Sequence, residues 1–102
     1  MNAEKRKRLR QAGWKTGTVS EFLELNPEES ALIEIKLRLS DLVKKARARR
    51  RLSQTELAER LGSSQSRVAK IEAGDPSVSL DLLVRASFAS GATRKDLARA
   101  IA

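Results

Sequence analysis

Apolar residues recur along this chain at spacings of three and four, and no stretch alternates as a strand would. That repeat belongs to helices with one buried face. Thr18-Val19-Ser20-Glu21 has the S/T-x-x-E form of a capping box, predicting a short helix over 19–25 that presents Val19, Phe22 and Leu23. Asn26-Pro27-Glu28-Glu29 starts another: Asn caps, Pro takes the first helical position, and two glutamates suit the positive end of the dipole. This helix is predicted to run from about Pro27 to Arg50, with Leu32, Ile35, Leu39, Leu42 and Ala46 as its apolar seam. Ser53-Gln54-Thr55-Glu56 opens a third helix at Gln54, with Leu57, Ala58 and Leu61 on one face and Gly62 at its end. Ser63 or Ser64 caps a fourth, which carries Val68 and Ile71 inward and stops near Gly74. Asp75 to Val78 is a loop, since Pro76 forbids a continuous helix. Ser79 caps the next helix, Leu80 to Ser90, with Leu80, Leu83, Val84 and Phe88 as the expected buried stripe and Gly91 at its end. Thr93-Arg94-Lys95-Asp96 caps a last short helix with Leu97 and Ile101 inward.

Two helices of about eight and ten residues with a turn of three to four between them match the helix-turn-helix motif. The residues of that stretch go further. Leu52, Gln54, Glu56-Leu57-Ala58, Leu61-Gly62, Ser64-Gln65, Val68, Ile71-Glu72 and Gly74 resemble the Xre/Cro-type family of phage-repressor-like DNA-binding domains. The likeness runs from about Leu39 to Ile101. It implies an all-α fold: a phage-repressor-like helix-turn-helix bundle with a helical N-terminal extension. The expected division is residues 1–38 as a basic arm and helical extension, offering a dimer or partner surface, and residues 39–102 as the DNA-binding domain.

The helix over Ser64 to Ala73 is expected to lie in the major groove with its N-terminal residues at base edges. The resemblance implies that Gln65, Ser66 and Lys70 occupy base-reading positions. Gln can pair bidentately with adenine, and Lys can reach guanine O6 and N7. Arg67 lies beside them and could take guanine or a phosphate. The resemblance also places Gln54 against backbone phosphate, where Ser53 and Ser64 could add hydroxyl contacts. It implies an ion pair between Arg47 and Glu72 that ties the long helix to the reading helix. Relatives bind as two-fold dimers on palindromes, and the same is expected here. The lone Gln65 followed by Ser66, where many relatives carry a Gln pair, leaves the preferred bases open.

Composition narrows the alternatives. The chain has 102 residues, a formal net charge of +8, and neither cysteine nor histidine. Disulfides, thiolate nucleophiles, Cys/His zinc sites and imidazole catalysis are therefore excluded. No cofactor is expected. No carboxylate pairs with a nucleophile, a metal cluster or a glycine-rich phosphate loop, so the chain does not read as an enzyme. No apolar run approaches the roughly 18 residues of a membrane span, and the basic start lacks an apolar signal core, which predicts a cytoplasmic, nucleoid-associated protein. A basic chain favours an acidic polymer such as double-stranded DNA.

Charge is uneven as well. Residues 19–35 hold five glutamates and no Lys or Arg, whereas residues 36–51 hold eight basic residues against Asp41. Lys5, Arg6, Lys7, Arg8 and Arg10 form a basic arm, open to reading as a phosphate or minor-groove contact or as a solvated tail. Trp14 is read as an anchor to the core. Gly13-Trp14-Lys15, Gly17, Val19 and Glu21-Phe22-Leu23 resemble the small antitoxins of the HigA-like class, a looser likeness than that of the helix-turn-helix. It implies a second role: binding a small basic RelE/HigB-like toxin and repressing its own operon. Glu21, Phe22, Glu28, Leu32 and Ile35 are the candidate partner surface. The alternative is that the glutamates only cap helices and that residues 19–25 fold back on the long helix.

Overall fold

The computed structural model describes residues 26–102, which are helices and the turns that join them. The basic arm, Trp14, the expected helix over 19–25, Glu21 and Phe22 lie outside the described residues. The helices are α1 (Pro27–Arg49), α2 (Gln54–Leu61), α3 (Gln65–Ala73), α4 (Leu80–Ala89) and α5 (Arg94–Ile101). The fold is all-α. Residues 35–102 form one compact unit, which α1 enters at Ile35.

Each start is set locally. Asn26 Oδ1 accepts from the Glu29 backbone N–H at 2.8 Å while its Nδ2 donates to the Glu29 carboxylate at 3.0 Å. Ser53 and Glu56 close a reciprocal capping box on α2, and Thr93 and Asp96 do the same on α5. Ser64 and Ser79 cap α3 and α4 through single hydroxyls. The backbone N–H of Ser53 and its hydroxyl hold the Glu56 carboxyl below the usual range. Such caps matter because helices of eight to ten residues are marginal without tertiary cover.

That cover is one core. Leu39, Leu42, Val43 and Ala46 of α1 meet Leu57, Ala58 and Leu61 of α2, Val68 and Ile71 of α3, and Leu83 and Ala86 of α4. Leu39, Leu57 and Ile71 are wholly shielded, each burial stabilising the fold by roughly 1.5–3 kcal/mol. Ile35 is half-buried against this cluster, whereas Leu32 at the start of the expected seam is exposed.

Two expected faces are corrected. On α4, Leu80 and Phe88 are exposed rather than buried, and Val84 is half-buried. Its inner face is Leu83, Ala86 and Ser87 instead. Ser87 Oγ donates to the Leu83 carbonyl at 2.8 Å, and Ser90 Oγ to the Ser87 carbonyl at 2.8 Å. With their hydroxyls bonded to the backbone, these small residues sit inside without an unpaired polar group. On α5, Ile101 is exposed, and Leu97 and Ala100 make the packing contact. Val78 and Ala92, both in loops, complete the core.

The helix ends share one geometry. After α2 the Gly62 N–H bonds the Glu59 carbonyl and the Ser63 N–H the Ala58 carbonyl; after α3 the Gly74 and Asp75 N–H groups bond Ile71 and Lys70. Gly62 and Gly74 have φ of 67° and 75°, the left-handed state of a Schellman closure. The end of α1 is built the same way, with Arg51 N–H on the Ala48 carbonyl and Leu52 N–H on the Arg47 carbonyl. Here the left-handed position, φ 56°, is occupied by Arg51. Arg51→Gly is expected to raise the unfolding free energy by up to about 1 kcal/mol. Relief of roughly 1–2 kcal/mol of left-handed strain outweighs about 0.5–1 kcal/mol of added chain entropy. Urea unfolding measures it, and an unchanged or lowered midpoint would contradict it.

Candidate nucleic-acid interface

The surface of interest is built outward from an ion pair. Arg47, in the last turn of α1, faces Glu72 near the end of α3. Its Nε donates to Glu72 Oε2 at 2.5 Å and its Nη2 to Oε1 at 2.9 Å. A third donor, Nη1, takes the Leu52 carbonyl at 2.7 Å. The side chains are only 18 % and 5 % exposed, so the pair sits where an unmatched charge would be costly. The hydrogen bond to Glu72 raises the Arg47 guanidinium above its ordinary pKa.

Glu72 has a further partner. Gln54 Nε2, in the first turn of α2, donates to its Oε1 at 3.2 Å. The Gln54 carbonyl in turn accepts from Gln65 Nε2 at 2.6 Å. Four residues from three helices thus form one chain of hydrogen bonds, running from Arg47 through Glu72 and Gln54 to Gln65. Gln65 is exposed and Gln54 is half-buried.

Gln65 stands at the start of α3, whose two faces differ. Val68 and Ile71 are wholly shielded, while Gln65, Ser66, Arg67 and Lys70 are exposed. The sealed face fixes the rotation of the helix, and so fixes which side chains face outward. Ser64 Oγ accepts from the Arg67 N–H at 3.2 Å and lies 3.2 Å from Ser66 Oγ. As a cap, Ser64 uses an oxygen lone pair, which leaves a hydroxyl proton that can be donated to Ser66 or to an anion.

Ser64, Ser66, Arg67 and Lys70 also line an open groove of about 370 Å³. Its far wall is Ser77, Val78, Ser79 and Leu82, at the entry to α4. Sequence alone does not assign Ser77 and Ser79 to this surface. Ser79 was visible as a cap, but only the folded loop brings it opposite Arg67 and Lys70. The loop is held by Lys36 Nζ on the Pro76 carbonyl at 2.9 Å. Its Asp75 carboxylate accepts from the Ser77 N–H and hydroxyl, which lowers the Asp75 pKa.

Ser53 caps α2 within its own box with Glu56. Glu28 and Leu32 are exposed on the first turns of α1.

In chemical terms the surface offers amide donors and acceptors, hydroxyl donors and two exposed cations. Groups of these kinds are able to meet an anionic polymer and the edges of bases. A helix-turn-helix family model matches residues 43–87, a span that contains Arg47, Gln54, Gln65 and Glu72. Comparison with curated proteins and with solved structures gives no significant match.

Removing one end of the ion pair should be far more damaging than any nearby surface change. Arg47→Ala is expected to lower the unfolding free energy by about 3–5 kcal/mol, since Glu72 would be left buried without its counter-charge. Denaturant unfolding of the variant reads this directly, and a loss under about 1 kcal/mol would show that water replaces the guanidinium at little cost.

Proposed function

Residues 43–87 are a helix-turn-helix domain of the Xre/Cro-type family, and from that premise we propose a transcriptional repressor that binds palindromic DNA as a dimer. The domain itself supports DNA binding and transcription regulation. The carrying observation for its reading surface is the pairing of exposed Gln65 with Gln54 at 2.6 Å on the outward face of α3. Gln65 and Ser66 meet base edges at the groove floor in this reading. Arg67 and Lys70 serve bases or flanking phosphates, and Ser64, Ser77 and Ser79 add hydroxyl donors from the groove beside them.

Dimerisation follows from the size of the reading element. A helix of nine residues presents few side chains to bases, too few for strong discrimination in one copy. Two copies related by a two-fold axis double the contacts and require symmetric half-sites with centres about one turn, or roughly 10 bp, apart. A formal charge of +8 would add the sequence-independent attraction that brings the chain to DNA and weakens with salt.

The second reading is an antitoxin that also represses its operon. It is supported by the resemblance of residues 13–23 to HigA-like antitoxins and by the acidic, exposed start of α1 at Glu28 and Glu29. A small basic toxin would meet that acidic segment, with Glu21, Phe22, Leu32 and Ile35 as further contacts.

Selection of bound sites from random DNA at a stated salt concentration tests the repressor reading. Two-fold symmetric sites are expected. Gln65→Ala should reduce discrimination at one position of each half-site by about 1–3 kcal/mol. Arg67→Ala, where it meets phosphate, should weaken all sequences alike and flatten the salt slope by about one. Asymmetric sites filled by one copy would overturn the dimer. For the antitoxin reading, co-expression with the product of an adjacent gene for a small basic protein should restore growth and give a stable complex. Neither rescue nor co-purification would leave the plain repressor.

A further inference from the structure

We propose that Glu72, whose side chain is almost wholly shielded, decides between adenine and guanine at the base read by Gln65. The inference rests on the DNA-binding reading above and deepens it. Both Glu72 oxygens accept from Arg47, so only a donor can approach the carboxylate from its remaining side. Gln54 must therefore turn its NH₂ inward, as its 3.2 Å bond to Glu72 Oε1 records. Its carbonyl oxygen then points outward, and only a donor can meet that in turn. Gln65 supplies one, through Nε2 at 2.6 Å.

The consequence lies in what Gln65 has left. One N–H is spent on Gln54, so its carbonyl oxygen and its other N–H face the DNA. An acceptor beside a donor matches adenine, which presents N6–H₂ and N7 in the major groove. A reversed Gln65 would turn both N–H groups outward, and those match the two acceptors of guanine, O6 and N7. Reversal is blocked from the inside, because a reversed Gln54 would set its carbonyl oxygen against a carboxylate oxygen. Arg47 fixes Glu72, Glu72 fixes Gln54, and Gln54 fixes the end of Gln65 that reads the base. Glu72 and Gln54 are positioning residues in this scheme, and Gln65 alone touches the base.

The test is site selection from random DNA with the full chain, run on wild type, Glu72→Gln, Gln54→Ala and Gln65→Ala. Glu72→Gln keeps the shape but offers an amide that can donate or accept, so both polarities become open. At the Gln65 position the wild type is expected to favour adenine over guanine by about tenfold or more. Glu72→Gln and Gln54→Ala should bring that ratio within about threefold, leaving the other positions unchanged. A purely structural Glu72 would instead lower affinity for all sequences alike with the adenine preference intact, and that result overturns the proposal. So does a wild-type preference for guanine. If Glu72→Gln fails to fold cooperatively, Gln54→Ala decides alone by the same ratio. Should Gln65→Ala leave the profile as in wild type, the DNA-reading assignment of α3 fails and this proposal with it. Should Gln65→Ala erase the preference while the other two variants retain it, only the relay is lost.

Discussion

The Arg47–Glu72 pair is the contact on which the rest of this molecule depends. It joins the end of the longest helix to the end of α3, and through the Leu52 carbonyl it also holds the corner that leads into α2. An ion pair so little exposed is a poor source of net stability, because desolvating two charges offsets most of their attraction. A well-packed apolar pair could serve the core as well. What an apolar pair could not supply is direction. The carboxylate has a third contact, Gln54, and an apolar side chain would give that amide nothing to align with. The pair is best understood as a polar reference point that the packing around it keeps in place.

The packing is thin enough for local details to matter. Four of the described helices have eight to ten residues, lengths that do not persist in water unaided. Each is closed at its start by a side chain that satisfies backbone donors, and α2 and α3 are closed at their ends by a left-handed glycine. Caps of this kind contribute about 1 kcal/mol apiece, comparable in size to one partly buried side chain. The α1 end, by contrast, tolerates a left-handed arginine. Leu52 is half-buried at that corner, and its carbonyl is the one that Arg47 takes. The strain at Arg51 and the tether at Leu52 are parts of the same turn.

Much of this was legible in the chain before folding. The caps of α1 through α5 are spelled by Asn26, Ser53, either Ser63 or Ser64, Ser79 and Thr93, with the fold selecting Ser64, and the turns after α2 and α3 by Gly62 and Gly74. The exposed face of α3 follows from the inward spacing of Val68 and Ile71. What was not legible has a physical reason in each case. The α4 face was misassigned because apolar spacing favours large residues, whereas this helix turns Ala86 and Ser87 inward and leaves Phe88 outside. A serine that bonds its own backbone costs little to bury, and no pattern of hydrophobicity reports that. The closure at Arg51 carries no glycine to announce it. The contact of Gln54 with Gln65 spans eleven residues and exists only once α2 and α3 have packed. Ser77 and Ser79 join the groove only because the loop between α3 and α4 folds back.

Preorganisation is the last consequence of the relay. A glutamine free in solvent has rotamers to lose when it pairs with a base, about 0.5–1.5 kcal/mol for each such side chain held at an interface. Gln65 is already bonded to Gln54 before any partner arrives, so part of that ordering belongs to folding and not to binding. Arg67 and Lys70 are exposed on α3, which suits groups proposed to find a diffuse negative field. In the proposed reading the surface divides its work between a held amide that discriminates and exposed cations that attract. A fixed reader loses more on the wrong base than a mobile one, because it cannot turn to recover a hydrogen bond. On that proposal the rigidity imposed from Arg47 outward acts mainly through the sequences it penalises.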